Sequence, residues 1–353
     1  MKKKKKTTIN DIAQELNITA STVSRALQDH PRISDATKKE VLKTAKQLNY
    51  HPNNIAAALR KGKSNLIGVM VPGTDENFFA SAIRGIEEVA NKAGYRVLIT
   101  QSNDSYEKEK TNVDAMLEAQ VDGIIASIAM GTKEVSHFQK IIDRGIPLIL
   151  FDRFNETVDA NIVALNDYQG AYKAVEHLIE QGCKRIVHFA GYQNISIYKE
   201  RFRGYKDALE DHDISFDENL VFECDMKLES GQKLAKKLLT MSELPDGIFS
   251  SSDNSAMGAM QVLKANNVKI PDQIAIVGFS NETFSSFVEP ALSTVEQHSK
   301  KMGQLSAKLF LEQLEPNVES EPLTRKIILT PKLIIRDSSL IKEKDSNSKR
   351  VAM

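Results

Sequence analysis

From residue 66 onward, seven short apolar runs alternate with amphipathic segments of helical periodicity. The runs are LIGVMV, RVLIT, DGIIASI, PLILF, RIVHFAG, DGIFSSS and IAIVGFS. Near-continuous apolar strands that alternate with helices are typical of parallel sheets covered by helices on both faces. About 270 residues of this pattern are more than one compact core usually holds, so the sequence predicts an α/β body of two lobes.

The first 50 residues carry a different pattern, that of three short helices. Thr8, Thr19 and Ser34 can each cap the start of one of these helices. The apolar residues expected on their inner faces are Ile9, Ile12, Ala13 and Leu16, then Val23, Ala26 and Leu27, then Val41, Leu42, Ala45 and Leu48. With a tight turn between the first two helices, the segment is a helix-turn-helix pattern, and we predict an all-α head.

Charge is distributed unevenly, although the whole chain has equal numbers of acidic and basic residues. Residues 1–63 hold 14 Lys and Arg against 5 Asp and Glu, whereas the remainder holds 33 against 42. A basic end on an acidic body indicates a polyanionic partner for the N-terminal part. For the lysines at 2–6, a solvated tail is the simpler interpretation. The second helix of the head leaves Ala20, Ser21 and Arg25 outward, where they can reach base edges in a major groove.

Composition and short motifs exclude several classes of protein. No apolar run approaches the roughly 20 residues of a membrane-spanning helix. The basic N-terminus lacks the apolar stretch of a secretory signal, so we expect a cytoplasmic protein. Cys183 and Cys224, the only cysteines, form neither a zinc nor a redox motif. Nucleotide-binding, zincin and hydrolase motifs are absent and the seven histidines lack ligand spacing, so we expect no cofactor, no metal and no enzymatic activity.

Two further segments flank the body. The stretch NNIAAALR at 53–60 lies between Pro52 and Gly62, which is the usual punctuation of a helix. A helix this short is not stable alone in water, so it is a candidate switch element. Residues 341–353 are rich in Lys and Ser without a heptad pattern, and we predict a disordered tail.

The run TINDIAQELNITASTVSRAL, joined to NYHPNNIAAALRKGKSNLIGVMVP and the α/β body, resembles the lactose-repressor (LacI/GalR) family of bacterial transcription regulators. The resemblance extends to about residue 340. It implies a periplasmic-binding-protein-like body that holds a small-molecule effector between its lobes. It also implies a homodimer, because two-fold protein symmetry reads a palindromic DNA operator. The tail lacks the apolar heptads of tetrameric members, which favours a dimer.

The family fold also implies where the domains divide. The chain is expected to cross between lobes near Asn161, Pro290 and Glu321. The implied domains are a helix-turn-helix head at 1–52, a hinge helix and linker at 53–63, an effector-binding and dimerisation domain at 64–340 (lobe one 64–161 and 291–320, lobe two 162–290 and 321–340), and the tail at 341–353.

The resemblance assigns roles in DNA binding to particular residues. Ala20 and Ser21 occupy the positions that choose operator bases, and Arg25 matches an arginine that reaches guanine, for which the alternative is a surface ion pair. Leu59 matches a leucine that wedges between base pairs from the minor groove, with Arg60 beside it; in the alternative, Leu59 docks on the body. The residues expected at phosphates are Thr8, Thr19, Thr22, Ser24 and Asn53.

The resemblance also implies a set of effector contacts at the carboxyl ends of the strands. The residues are Phe78, Phe79, Asp152, Arg201, Met226, Asp253, Ser280 and Asn281. For three of them a structural role is an open alternative: Phe79 as a core anchor, Met226 as packing, and Asp253 as a helix cap. Ser280 stands where many members have an aspartate, which puts the usual sugar contact in doubt or passes it to Asn281. We favour a sugar as the effector, with a nucleobase as the alternative.

The predicted function is therefore an effector-controlled repressor, or less often an activator. Effector binding would shift the lobes and permit or prevent pairing of the hinge helices, so ligand and DNA binding would be reciprocally coupled. A solute-binding protein of a sugar transporter shares the body, but it needs an export signal and has no use for the basic head. A steep fall of DNA affinity with salt would separate the two.

Overall fold

The computed structural model describes residues 7–50, 63–314 and 324–341. The chain divides between Ser64 and Asn65 into two compact units, a small head and a large body. The predicted hinge helix at 53–60 and the predicted tail beyond residue 341 lie outside the described residues. No helix within the described ranges is long and apolar enough to cross a membrane.

Helices account for the regular structure that is described in the head. They are α1 (Ile9–Glu15), α2 (Ala20–Leu27) and α3 (Asp35–Gln47). Ile12, Val23 and Val41 are fully buried where the three helices meet, as the apolar pattern predicts. Leu42 was expected inside, but its side chain is 56% exposed. The helical period of 3.6 residues rotates it away from Val41 and toward the outer face of α3.

Side-chain caps fix where α2 and α3 begin. The Thr19 hydroxyl accepts a hydrogen bond from the Thr22 N–H at 3.2 Å, and the Ser34 hydroxyl accepts one from the Thr37 N–H at 3.3 Å. Asn17, in the turn before α2, has a φ of 52°, which asparagine tolerates better than most residues. These caps confirm the predicted helix starts and define the helix-turn-helix geometry of the head.

The body alternates strands and helices along most of its length. Its elements are β1 (Leu66–Val71), α4 (Asn77–Lys92), β2 (Arg96–Gln101), α5 (Tyr106–Glu118), β3 (Gly123–Ala126), α6 (Ser136–Asp143), β4 (Leu148–Phe151), β5 (Asn161–Leu165), α7 (Asp167–Glu180), β6 (Ile186–Ala190), α8 (Ser196–Asp211), β7 (Val221–Glu223), α9 (Leu228–Leu238), β8 (Gly247–Ser250), α10 (Asp253–Ala265), β9 (Ala275–Val277), β10 (Thr294–Glu296), α11 (Ser299–Leu314), β11 (Lys326–Leu329) and β12 (Lys332–Ile334).

Two parallel sheets form the cores of the two lobes, which confirms the predicted architecture. Lobe one contains a six-stranded sheet in the order β11-β5-β4-β3-β1-β2. Lobe two contains a four-stranded sheet in the order β7-β6-β8-β9. Strands β10 and β12 pair antiparallel where the chain passes between the lobes. In both lobes the buried strands are almost entirely apolar, because helices cover both faces of a parallel sheet.

The predicted lobe boundaries are wrong by about one strand at each crossing. The predicted boundary at Asn161 places most of β5 in lobe two, yet β5 pairs in parallel with β4 of lobe one. Strand β11 was assigned to lobe two, yet it pairs with β5 and extends the sheet of lobe one. The crossings therefore follow β5, β10 and β11, since hydrogen bonding between strands decides which sheet each strand joins.

Helices α4 and α11 pack closely on the face of lobe one. Gly85 of α4 lies against the Lys300 carbonyl, and Gly303 of α11 lies against the Ala82 carbonyl. A Cβ atom at either glycine would overlap backbone atoms of the facing helix. The two glycines therefore set the separation of these helices, and with it the position of α4 at the edge of the cleft.

Candidate functional site

The outer surface of α2 is the first candidate site. Ser21 and Arg25 are exposed on it, and Ala20 is half-buried. None of the described residues forms an ion pair or hydrogen bond with the Arg25 guanidinium, so the alternative of a surface ion pair has no partner in the described head. The Ser21 hydroxyl lies 2.8 Å from the Thr19 hydroxyl. Helix α2 thus presents one free cation and two small residues on an accessible face.

The residues predicted to contact phosphates lie around the same helix. Thr8 and Thr19 are exposed, and Thr22 and Ser24 are half-buried. The Thr19 and Thr22 hydroxyls lie 2.9 Å apart at the start of α2. The remaining predicted DNA contacts, Asn53, Leu59 and Arg60, lie outside the described residues.

The second candidate site is a cavity of about 400 Å³ between the two lobes of the body. Parallel sheets bind ligands at the carboxyl ends of their strands, and the loops after β4, β7, β8 and β9 all reach this cavity. Six of the eight predicted effector residues line it: Phe78, Phe79, Asp152, Arg201, Met226 and Ser280.

Two aromatic side chains form part of the wall on the side of lobe one. Phe78 and Phe79 lie in the first turn of α4, with 5% and 1% of their surface exposed. Their rings meet edge to face, with centroids 5.0 Å apart. Phe79 also packs in the lobe-one core against Phe151, so it is a core anchor that also lines the cavity, and its contact with an effector stays a prediction.

Arg201 of α8 is fixed in the wall of lobe two. Its Nε donates to Asp167 Oδ1 at 2.8 Å, and its Nη1 donates to the Ser251 carbonyl at 2.8 Å. The guanidinium carbon lies 3.7 Å from the centroid of the Phe279 ring. Only 2% of Arg201 is exposed. Because two hydrogen bonds and a stacked ring hold it, Arg201 presents a preorganised donor group to the cavity.

Asp152 faces the cavity directly after β4. It is 4% exposed, and no group among the described residues donates a hydrogen bond to its carboxylate. Burial raises the pKa of Asp152 to about 7, and the nearby carboxylates of Asp167 and Glu76 also raise it, while Arg153 and Arg201 lower it. Its φ of 59° is an uncommon backbone conformation for a residue other than glycine. Buried, strained and unpaired groups of this kind cluster at functional sites.

Arg153 is a cavity residue that the sequence did not indicate beforehand. Its Nη1 donates to Asp104 Oδ1 at 2.6 Å, and Asp104 Oδ1 also accepts the Met130 N–H at 2.9 Å. All three residues line the cavity. The only available signal was position, since Arg153 follows Asp152 at the end of a strand.

A buried network behind this wall holds the loop that carries Met130. The Glu109 carboxylate accepts the Ala129 N–H and the Thr132 hydroxyl, each at 2.6 Å. It also lies 2.8 Å from His137 Nε2. Glu109 and His137 are almost completely buried. The network therefore ties α5 and α6 to the loop at the cavity.

Two predicted effector residues, Asp253 and Asn281, do not line the cavity. The Asp253 carboxylate accepts the Thr294 hydroxyl at 2.6 Å and the Glu282 N–H at 2.7 Å. Burial raises the pKa of Asp253 to about 7. The Asn281 amide bonds with Arg336 at 2.8 Å. Both residues anchor the loop after β9 to the crossing strands, and these tertiary partners turn them away from the cavity.

The lobes also contact each other across the cleft. The Ser196 hydroxyl at the start of α8 donates to the Phe154 carbonyl at 3.3 Å. Burial and the nearby Glu76 raise the pKa of Glu282, and the backbone amides of Asn77 and Phe78, which its carboxylate faces, partly oppose this shift. A change in the angle between the lobes would therefore break or remake specific polar contacts.

The segments that match known protein families contain both candidate sites. The family model described as "Periplasmic binding proteins and sugar binding domain of LacI family" matches residues 64–337, and that described as "Bacterial regulatory proteins, lacI family" matches residues 8–53. The ribose operon repressor of Halalkalibacterium halodurans is 32% identical over 344 residues, which are 97% of this chain and 100% of that protein. The HTH-type transcriptional regulator DegA of Bacillus subtilis is 31% identical over 335 residues, or 95% and 98% of the two chains.

Solved structures share the fold. The lac repressor dimer bound to operator and the anti-inducer ONPF matches with a TM-score of 0.84 at 23% identity. The match covers 96% of this chain and 100% of that chain. The head and the two-lobed body thus occur together, in the same order, in a solved structure.

Proposed function

The chain belongs to the LacI family of bacterial regulatory proteins, and from this premise we propose that it is a cytoplasmic transcriptional repressor. It binds a palindromic DNA operator as a homodimer and is controlled by a small molecule in the interlobe cavity. The observation that carries the proposal is the presence, in one chain, of an exposed helix-turn-helix surface and a cavity lined by fixed polar groups. A solute-binding protein would need only the second.

We assign base reading to the exposed face of α2. Arg25 has no competing acid among the described residues, so its five N–H donors are available for guanine O6 and N7. Ser21 can bond to several base edges, and Ala20 can contact a thymine methyl group. Phosphate contacts fall to Thr8, Thr19, Thr22, Ser24 and Asn53, and minor-groove contacts to Leu59 and Arg60.

We assign effector binding to the cavity-lining members of the predicted set together with Arg153. Arg153 and Arg201 supply donors, Asp152 supplies acceptors, and Phe78 supplies an apolar face, which together suit a sugar. The relative named a ribose operon repressor supports the same class of ligand. Asp253 and Asn281 would act indirectly, by holding the loop after β9.

We propose that the signal passes through the angle between the lobes. An effector that favours one angle changes the cross-cleft contacts of Ser196 and Glu282, and a ligand with equal affinity for both angles has no effect. By linkage, the change in DNA affinity on effector binding equals the change in effector affinity on DNA binding.

A binding-site selection tests the proposal. The full chain is incubated with a library of random DNA duplexes, and bound duplexes are sequenced. We expect a two-fold symmetric motif. Arg25→Ala should lose the preference at one position in each half-site, whereas the matched control Arg32→Ala, at an exposed arginine of the same head, should leave the motif unchanged. Failure to enrich any motif would contradict the proposal.

A further inference from the structure

Acidic side chains outnumber basic ones in the lining of the cavity. Among the described residues that line it, seven are carboxylates and three are cations. Asp152 and Glu76 approach from lobe one and Glu282 approaches from lobe two. Burial raises the pKa of Asp152 and of Glu282, and the charge of Glu76 raises both further.

The two buried cations each pair with an acid, although Arg153 Nε and Arg201 Nη2 have no hydrogen-bond partner among the described residues. Arg153 pairs with Asp104 at 2.6 Å, and Arg201 pairs with Asp167 at 2.7 Å. The third cation, Lys227, is exposed at the rim. The acidic side chains that line the cavity therefore outnumber the cations there, and an anionic ligand such as a sugar phosphate would add to the repulsion.

The carboxylate of Asp152 indicates that a ligand binds in the cavity. Asp152 is 4% exposed and lines the cavity, and its carboxylate receives no hydrogen bond from the described residues. Burying a carboxylate without a partner costs free energy, which a bound partner recovers. Among the described residues, no group of three or more His, Cys, Asp or Glu is arranged to hold a metal ion. A hydroxyl or ammonium group of an organic ligand would supply the hydrogen bond that Asp152 lacks.

From this geometry we propose that the effector carries a positive charge, and that it is an amino sugar whose ammonium pairs with Asp152. The inference rests on the proposed function, since it concerns the ligand of the same cavity. The ammonium would lie among Asp152, Glu76 and Glu282. The aromatic ring of Phe78 suits the apolar side of a sugar ring and also attracts a cation, whereas the Phe79 ring already has the Arg153 guanidinium over it at 5.7 Å. A cavity of about 400 Å³ is at the small end of ligand pockets and suits one ring.

Isothermal titration of the full chain tests this inference. The ligands are three matched pairs: glucose and glucosamine, galactose and galactosamine, mannose and mannosamine. In at least one pair the amine should bind at least about tenfold more tightly, as expected for a charge-assisted hydrogen bond. N-acetylation of that amine, which removes its charge, should abolish the preference, and glucose 6-phosphate should not bind.

Two variants test whether Asp152 is responsible for the tighter binding of the amino sugar. Asp152→Asn keeps the shape of the side chain and should bind the amine no more tightly than the neutral sugar. Asp114→Asn removes an exposed carboxylate from α5, outside the cavity, and should retain the preference. Retention of the preference in Asp152→Asn would overturn the assignment.

The outcomes separate this inference from the proposed function. If no amine binds more tightly than its neutral partner, the inference is overturned. If a neutral sugar binds and changes DNA affinity, the proposed regulator stands without the charged effector. If the amine binds through Asp152 but DNA affinity does not change, the charge inference stands and effector control is contradicted.

Discussion

Asp152 combines burial, an unpaired carboxylate and a raised pKa, and it therefore makes stability depend on pH. Burial opposes its ionised form most strongly, and Asp167 and Glu76 add to this effect, whereas Arg153 and Arg201 favour the ionised form with the smaller effect. A carboxyl whose folded pKa is raised from 3.8 to about 7 binds more protons in the folded state than in the unfolded state. Its contribution to stability is therefore lost as pH rises from about 4 to about 7.

Asp152→Asn should remove this pH dependence. We expect the variant to be more stable than the unmodified chain near pH 8, by about 1 kcal/mol or more, because a buried charge is removed. The difference should shrink as pH falls toward about 5. Urea unfolding at three pH values measures it. A loss of stability near pH 8, or a difference independent of pH, would contradict the assignment of a strained, unpaired carboxylate.

Arg201 should stabilise the fold as well as the site, because it is the partner of Asp167. Both side chains are at least 95% buried. Arg201→Ala leaves a buried carboxylate unpaired, which costs about 3–5 kcal/mol. Arg203→Ala is the matched control, since its partner Glu200 is exposed to solvent and the pair contributes about 1 kcal/mol or less.

A double variant distinguishes lost pairing from lost packing. If the cost of Arg201→Ala comes from the unpaired charge, adding Asp167→Asn should restore part of the stability. If the double variant is as unstable as the single one, the ion pair is not the cause. Thermal or urea unfolding gives both values.

At the scale of elements, the glycine contacts of α4 and α11 make a separate prediction. Gly303→Ala places a methyl group against the Ala82 carbonyl, so the helices must separate. Overpacking of this kind costs about 1–3 kcal/mol. Lys301→Ala, exposed on the same helix, should change stability by about 0.5 kcal/mol or less. Equal stability of the two variants would show that the close approach is not required.

Local patterns predicted elements well and their partners less well. The apolar runs predicted seven strands of the body, and the caps at Thr19 and Ser34 predicted two helix starts. Strand β11 was misplaced because its sheet is decided by pairing with β5, more than 160 positions earlier, and β5 because its pairing with β4 cannot be read from its own pattern. The sequence of a single strand does not show which other strand it pairs with.

The residues of the cavity were likewise predicted only in part from the sequence. Most predicted effector residues reach the cavity because strand ends converge there, which topology alone implies. Asp253 and Asn281 do not, since contacts with Thr294 and Arg336 from later in the chain hold them. Arg153 and Glu282 were missed for the same reason: only the folded chain shows which charges face the cleft.

At the scale of the whole molecule, charge asymmetry predicts how binding responds to salt. The head is basic and the remainder is acidic, so DNA binding should depend on contacts with phosphates. For a dimer we expect affinity for the selected duplex to fall about a thousandfold between about 50 and about 200 mM salt. Binding of a neutral sugar should be almost insensitive to the same change. A flat salt dependence of DNA binding would favour a body without a DNA-reading function.

Coupling between effector binding in the cavity and DNA binding by the head can be measured directly. Fluorescence anisotropy gives the affinity of the full chain for the selected duplex, with and without a saturating sugar from the titration panel. We predict a change of about fivefold or more, and an equal change in sugar affinity when DNA is present. A DNA affinity that stays the same while the cavity is saturated would contradict effector control.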